Sequence, residues 1–225
     1  MIALLAGFAA CDRGQHVTAH AEARARTDTA VTAPSAAKRR VLFVGTSLTA
    51  GYGLDPEQAY PALIARRIDS LDLNYEVVNA GVSGETSAGA LRRMDWLLRA
   101  PVDVFVLETG ANDGLRGLSV DSMRANIQGI LDKVHATYPA ARVILVGMEA
   151  PPNLGARYTS AFHAVFPELA RKNGAVLVPF LLTDVAGVDT LNQADGIHPN
   201  ARGARIVADH VWKALRPLLA SHERA

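Results

Sequence analysis

From Arg39 onwards, short apolar runs alternate along the chain with longer segments in which apolar residues recur at helical spacing. This alternation is typical of βαβ units, because parallel strands need a long crossover connection and a helix usually supplies it. The apolar runs are nearly continuous and rich in aliphatic residues, as expected of strands buried on both faces. Five strands are predicted: Val41–Gly45, Tyr75–Asn79, Val102–Thr109, Arg142–Gly147 and Ala175–Pro179.

The segments between these strands carry the period of amphipathic helices. Asn200 is suited to cap the last helix, because its side-chain oxygen can accept a hydrogen bond from a free N–H of the first turn. The predicted fold class is α/β, a three-layer α/β/α sandwich with a five-stranded parallel sheet. Ligands of such folds bind beyond the carboxyl ends of the strands. The predicted helices are Gln58–Leu71, Ser87–Leu98, Val120–Thr137, Arg157–Lys172 and Ala201–Leu218.

The composition excludes several classes of function. With 225 residues, 49% of them hydrophobic and 20% charged, the chain fits one globular domain with a full core. A formal net charge of +1 gives no reason to expect nucleic-acid binding. No phosphate-binding or dinucleotide-binding glycine motif follows a predicted strand, and no cluster has metal-ligand spacing, so neither a cofactor nor a metal is predicted.

The N-terminal segment carries the only cysteine, so no intrachain disulfide can form. Met1–Cys11 is a short apolar run, too short to span a bilayer, and it is similar to a bacterial lipoprotein signal in which the cysteine becomes the lipidated N-terminus. We expect residues 1–11 to be such a signal, 12–38 a flexible tether, 39–219 the folded domain and 220–225 a C-terminal tail. The protein would then be exported, periplasmic or anchored to a membrane through Cys11. The alternative is a cytoplasmic protein with a frayed apolar N-terminus.

Two distant segments supply the groups of a nucleophilic hydrolase. Ser47 follows the first predicted strand, and Asp195 and His198 lie in a glycine-containing turn near the end of the chain. A serine hydroxyl is a weak nucleophile unless an imidazole takes its proton, and a third group must hold that imidazole in one tautomer. Asp195 can curl back onto His198 Nδ1–H, which leaves Nε2 free to face Ser47.

Two further turns can supply hydrogen-bond donors to the same edge of the sheet. Gly81 follows the second predicted strand and can offer a backbone N–H, and Asn112 follows the third and can offer its amide. Acyl transfer passes through a tetrahedral oxyanion that needs several converging donors. The N–H of Ser47, the N–H of Gly81 and the side chain of Asn112 are predicted to provide them.

Four blocks, in this order, resemble the SGNH (GDSL-like) hydrolase superfamily and, within it, the bacterial thioesterase I/lysophospholipase L1/arylesterase group. They are Gly45–Tyr52, Asn79–Ser87, Gly110–Gly117 and Asp195–Asn200, and the similarity extends over Arg39–Leu219. The resemblance implies a flavodoxin-like SGNH hydrolase fold. Thr46 stands where this family usually has Asp, a departure that concerns the rigidity of the turn more than the chemistry.

The resemblance also implies a role for each site residue. Ser47 would be the nucleophile, His198 the general base and later the acid, and Asp195 the carboxylate that orients it. Ser47, Gly81 and Asn112 would form the oxyanion hole.

The loop after the fourth strand flanks an acyl groove in the group that the chain resembles. Leu154, Tyr158 and Phe162 would then contact the substrate, although Tyr158 and Phe162 also fit the core face of a helix. The expected activity is hydrolysis of acyl esters, and by extension of acyl thioesters or lysophospholipids, through an acyl-enzyme. The alternatives are a carbohydrate or cell-wall acetyl-esterase and, in another class, a non-catalytic, membrane-tethered lipid-binding protein.

Overall fold

The computed structural model describes residues 37–220, which contain a five-stranded sheet in which all paired strands are parallel. The strand order is β2-β1-β3-β4-β5. The predicted α/β class and five-stranded parallel sheet are therefore confirmed. The strands are β1 (Arg39–Gly45), β2 (Tyr75–Gly81), β3 (Val104–Glu108), β4 (Arg142–Val146) and β5 (Val176–Val178).

Seven α-helices lie in the same part of the chain. The five long ones begin and end close to their predicted bounds, and Asn200 caps the last, since its Oδ1 accepts from the N–H groups of Arg202 at 2.9 Å and Gly203 at 3.2 Å. Two short helices were not predicted; each begins directly after a strand or its turn. The helices are α1 (Ser47–Ala50), α2 (Tyr60–Ser70), α3 (Ser87–Leu97), α4 (Ala111–Leu115), α5 (Val120–Thr137), α6 (Ala156–Lys172) and α7 (Ala201–Ala220).

The sheet forms the middle layer of the domain. Every residue of β3 is buried, and so are the last five residues of β1, because helices cover both faces. Helix α2 packs against α7, while α5 packs against both α3 and α6. These two groups of helices are the outer layers of the predicted sandwich. Strand β5 is half-exposed and shorter than predicted, as expected at the edge of a sheet.

The strand order decides where the functional residues meet. The chain passes from β1 to a neighbour on one side and reaches β3 on the other, so the edge between β1 and β3 is a topological switch point. Ser47 begins the helix after β1, and Asn112 lies in the helix after β3. Both are thus brought to the crevice where folds of this kind bind ligands.

The predicted signal segment, Cys11 and nearly all of the predicted tether lie outside the described residues, as do residues 221–225. Within residues 37–220, no helix combines the length and the apolar character needed to cross a membrane.

Candidate active site

The turn that carries Ser47 is built around a missing side chain at Gly45. A Cβ at that position would lie 2.0 Å from Thr49 Oγ1 and 2.7 Å from Glu108 Oε2. Without it, the chain leaves β1 closely packed over the buried end of β3, passes through the extended residue Thr46 and enters α1 at Ser47. Ser47 therefore occupies the first position of a helix, and its N–H has no acceptor among residues 37–220.

The turn that carries His198 is held by one carboxylate. Asp195 Oδ1 accepts from the backbone N–H groups of Ile197 at 2.9 Å and His198 at 3.0 Å, and Asp195 Oδ2 lies 2.6 Å from His198 Nδ1. The backbone and side-chain hydrogen bonds from His198, together with that from Ile197, lower the pKa of Asp195 from 3.8 to about 2. The carboxylate is therefore ionised near neutral pH and selects the tautomer with a proton on Nδ1.

The two turns meet at the hydroxyl of Ser47. His198 Nε2 lies 2.8 Å from Ser47 Oγ, so the serine hydroxyl can donate to the imidazole nitrogen that the carboxylate leaves unprotonated. The structure thus brings together Ser47, His198 and Asp195 in the order the sequence suggests, within hydrogen-bond reach of one another.

Two residues that the sequence did not single out hold His198 in place. The ring of Tyr52 packs on the imidazole, with 4.8 Å between ring centroids. Gln193 links the two loops, because its Nε2 donates to the carbonyl oxygens of Tyr52 at 2.7 Å and Pro199 at 3.0 Å. Neither residue lies in a motif with catalytic spacing. The signals that could have indicated a role are the place of Tyr52 at the end of the Gly45–Tyr52 block and that of Gln193 two residues before Asp195.

Gly81 does not present its N–H to the site. That N–H donates to Asn79 Oδ1 at 2.9 Å, and a Cβ on Gly81 would lie 2.3 Å from the backbone nitrogen of Ala50. Gly81 therefore serves the close approach of β2 to α1. The next glycine, Gly84, lies at φ +77° and lines the cavity beside Ser47, and its N–H has no acceptor among residues 37–220.

Asn112 lies at the site with one amide hydrogen in use. Its Nδ2 donates to the carbonyl oxygen of Glu85 at 3.0 Å, and the second hydrogen has no acceptor within residues 37–220. The neighbouring carboxylate of Asp113 is buried and accepts from the N–H of Ser87 at 2.8 Å and from its hydroxyl at 2.6 Å. These contacts fix the short helix that carries Asn112 to the start of α3.

A cavity of about 550 Å³ opens at these residues, with Ser47, Gly84, Asn112 and His198 in its wall. Its volume lies in the range of small-molecule sites. Most of the remaining wall is apolar and comes from the turns after β4 and β5 and from the loops beside Asn112 and His198. These apolar residues include Leu115, Met148, Ala150, Pro151, Pro152, Phe180, Leu182 and Ile197.

Leu154, Tyr158 and Phe162 do not line this cavity. Phe162 is fully buried and packs between Tyr158 and Phe166, with centroid distances of 6.2 Å and 5.6 Å. Tyr158 donates its hydroxyl to the carbonyl oxygen of Leu118 at 2.7 Å. Tyr158 and Phe162 lie on α6, and Leu154 lies in the turn before it. Phe162 and Leu154 approach Gly114 and Gly117, so they pack behind the short helix of Asn112 instead of reaching the cavity.

Comparison with known proteins identifies relatives over most of the chain. The model of the GDSL-like Lipase/Acylhydrolase family matches residues 43–206. Esterase TesA of Pseudomonas aeruginosa is 41% identical over 82% of this chain and 91% of its own length. Thioesterase 1/protease 1/lysophospholipase L1 of Escherichia coli is 38% identical over 82% of this chain and 87% of its own.

The fold of a solved relative agrees as well. The psychrotrophic esterase EstA from Pseudoalteromonas, in a structure inhibited by monoethylphosphonate, superposes with a TM-score of 0.76. It is 34% identical, and the match covers 81% of this chain and all of that one. With this fold, this site geometry and these matches, the chain belongs to the GDSL-like lipase/acylhydrolase family.

Proposed function

We propose that the protein is a serine hydrolase that cleaves carboxylic esters through an acyl-enzyme. The observation that carries the proposal is the continuous chain of hydrogen bonds from Ser47 Oγ to His198 and on to Asp195, at 2.8 and 2.6 Å, at the wall of an apolar cavity. A protein that only binds lipid has no need of a proton relay at the wall of its cavity. The relay therefore favours an enzyme over the non-catalytic alternative.

In the proposed first half-reaction, Ser47 Oγ attacks the ester carbonyl carbon while His198 Nε2 takes the hydroxyl proton. Asp195 accepts a hydrogen bond from His198 Nδ1–H throughout the reaction and stabilises the imidazolium. The tetrahedral intermediate collapses, the acyl group stays on Ser47, and His198 gives its proton to the leaving alcohol or thiol. In the second half-reaction, His198 activates a water molecule that attacks the acyl-enzyme and releases the acid.

We place the oxyanion hole at the N–H of Ser47, the N–H of Gly84 and the free amide hydrogen of Asn112. Gly84 replaces Gly81 in this proposal, because the N–H of Gly81 is bonded to Asn79 whereas that of Gly84 is free at the cavity. Loss of one such donor typically lowers kcat by about 10²- to 10³-fold.

For the acyl chain we propose the apolar wall formed after β4 and β5, with Met148, Ala150, Phe180 and Leu182 as contacts. This wall supports acyl groups longer than acetyl and disfavours the carbohydrate acetyl-esterase alternative, since a sugar would need more polar partners. The named activities of the relatives, esterase, thioesterase and lysophospholipase, suggest that oxygen esters, thioesters and lysophospholipids should all be tested.

The decisive experiment is hydrolysis of p-nitrophenyl esters from acetate to palmitate by the protein and by its Ser47→Ala variant. We expect turnover that depends on Ser47 and a chain-length optimum beyond acetate. An optimum at acetate would support the acetyl-esterase, and equal turnover by Ser47→Ala would remove the mechanism. Binding of fatty acid without any turnover would favour the lipid-binding protein.

We also propose that residues 1–11 direct export, that residues 12–38 tether the domain of residues 39–219, and that Cys11 carries the lipid. The mass of the mature N-terminus in a bacterial host tests this. Lipidated Cys11 as the first residue is expected, with Cys11→Ser as the matched control; an unprocessed Met1 in the wild-type protein would contradict the proposal.

A further inference from the structure

Glu108, the last residue of β3, is a fully buried carboxyl group that takes no part in the proposed chemical steps. Its Oε2 accepts from the backbone N–H of Thr46 at 2.8 Å and from the hydroxyl of Thr49 at 2.9 Å. Its Oε1 accepts from the hydroxyl of Thr46 at 2.9 Å. Both of its principal partners therefore lie in the turn that carries Ser47.

The hydroxyl groups around Glu108 all donate toward its carboxylate. The Thr49 hydroxyl has a single proton, so if it donates to Glu108, the hydroxyl of Tyr60, 2.8 Å away, must donate to Thr49. Tyr60 is buried, and burial together with the nearby Glu108 carboxylate raises its pKa, so it stays a neutral donor. Burial raises the pKa of Glu108, and the bonds from Thr46 and Thr49 oppose that shift.

No ion pair with Glu108 forms within residues 37–220, so the carboxyl group is satisfied by these donors and not by a cation. A buried acidic group held only by neutral donors is costly to maintain. Glycine at position 45 makes room for it, because a Cβ there would lie 2.7 Å from Glu108 Oε2. The fold therefore keeps a carboxyl group at position 108, although an apolar residue would be less costly to bury there and although position 45 must then lack a side chain.

The position of the bonds indicates what the carboxyl group does. Thr46 precedes Ser47 by one residue, and Thr49 follows it by two, so one rigid group holds the backbone on both sides of the nucleophile. The backbone of Ser47 sets the direction of its Oγ toward His198 and of its N–H toward the oxyanion. We infer that Glu108 is a positioning residue, which orients the Ser47 hydroxyl and N–H through Thr46 and Thr49. This inference rests on the proposed ester hydrolysis.

The first test is Glu108→Gln, which keeps the volume but replaces one acceptor oxygen by an amide donor. We expect kcat to fall by about 10- to 100-fold with KM within about twofold of the wild type, because small displacements of a reacting group have effects of that size. Affinity for butylboronic acid, which forms a tetrahedral adduct with an active-site serine, should fall by the same factor as kcat/KM. A purely structural role would lower the melting temperature without this parallel loss.

Two threonines provide a matched pair of variants. Thr46→Val removes a buried hydroxyl that is bonded to Glu108, whereas Thr109→Val removes a buried hydroxyl with no partner among the described residues. We expect Thr46→Val to lose about tenfold in kcat, Thr46→Ser to restore most of it, and Thr109→Val to keep the wild-type rate. If Glu108→Gln does not fold, the comparison of Thr46→Val with Thr109→Val still tests the positioning role of Glu108.

The outcomes separate this inference from the proposed function. A wild-type protein without Ser47-dependent turnover would remove both. An active wild type with unchanged kcat in Glu108→Gln, or with equal losses in Thr46→Val and Thr109→Val, would remove only the role of Glu108. A fall in kcat that is matched by boronic acid affinity and reversed by Thr46→Ser supports it.

Discussion

Replacing Asp195 by Asn tests whether the carboxylate works by selecting a tautomer. One oxygen of Asp195 accepts two backbone N–H groups, from Ile197 and His198, and the other accepts His198 Nδ1–H. An Asn side chain can keep only one of these two sets. In one orientation, the Asn oxygen accepts from the two backbone N–H groups and the NH₂ group faces His198 Nδ1, so two hydrogen bonds are preserved. In the other orientation, the NH₂ group would face the two backbone N–H donors. The first arrangement is therefore favoured.

In that arrangement the amide donates to His198 Nδ1, so the proton moves to Nε2, which lies 2.8 Å from Ser47 Oγ. The imidazole then faces the serine as a donor and cannot take its proton. In serine hydrolases with this relay the same change lowers kcat by about 10⁴-fold, which corresponds to about 5.5 kcal/mol of lost transition-state stabilisation. We expect a loss of about 10³- to 10⁴-fold in kcat here, in a variant that remains folded at the assay temperature because the turn keeps its two backbone bonds.

The assay is hydrolysis of the best p-nitrophenyl ester, together with thermal unfolding of each variant. Asp184→Asn is the matched control, because Asp184 also approaches a histidine, His210, at 4.0 Å, but away from the serine. If Asp195→Asn kept more than a tenth of the wild-type kcat while remaining folded, tautomer selection could not be the role of this carboxylate. A large loss accompanied by unfolding would instead show that the side chain mainly holds the turn.

Three further outcomes can be measured with the same protein. Asn112→Ala should lower kcat by about 10²- to 10³-fold with little change in KM, and a change confined to KM would reject an oxyanion role. Ala150→Phe should fill the apolar wall and move the chain-length optimum toward shorter esters while acetate hydrolysis persists; an unchanged optimum would place the acyl chain elsewhere. Because the folded-state pKa of Asp195 is lowered from 3.8 to about 2, its contribution to stability is present above about pH 4 and lost as the pH falls to about 2. Denaturant unfolding should therefore show a difference between wild type and Asp195→Asn that shrinks over this interval, and a constant difference would contradict the shift.

The fold was predictable because its signals are local. Central strands buried on both faces read as continuous apolar runs, and helix α5 was predicted with the same bounds that the structure gives, Val120–Thr137. Strand bounds were less exact: β3 was predicted as Val102–Thr109 and spans Val104–Glu108, and β5 was predicted as Ala175–Pro179 and spans Val176–Val178 at the edge of the sheet. An edge strand has one neighbour, so its length depends on pairing that a sequence does not display.

The acid–base part of the site was also predictable. Asp195 and His198 are close in sequence, and a carboxylate that accepts the N–H groups of a turn two and three residues ahead is a common local structure. Parallel topology then brings the first strand's Ser47 to the same edge. No long-range packing has to be known for this step, which is why geometry and expectation agree.

The proposed oxyanion donor and the proposed acyl wall depend on contacts between distant residues. Gly81 and Gly84 both follow β2, and either could offer an N–H; the choice is made by Asn79, whose side chain takes the N–H of Gly81 while its amide holds the carbonyl oxygen of Thr49 at 2.8 Å. This one side chain therefore ties β2 to the nucleophile turn and leaves the later glycine free. Asn79→Ala should release both contacts. A loss of kcat in that variant, which keeps Gly84, would show that Gly84 serves as a donor only while the segment after β2 is anchored to α1.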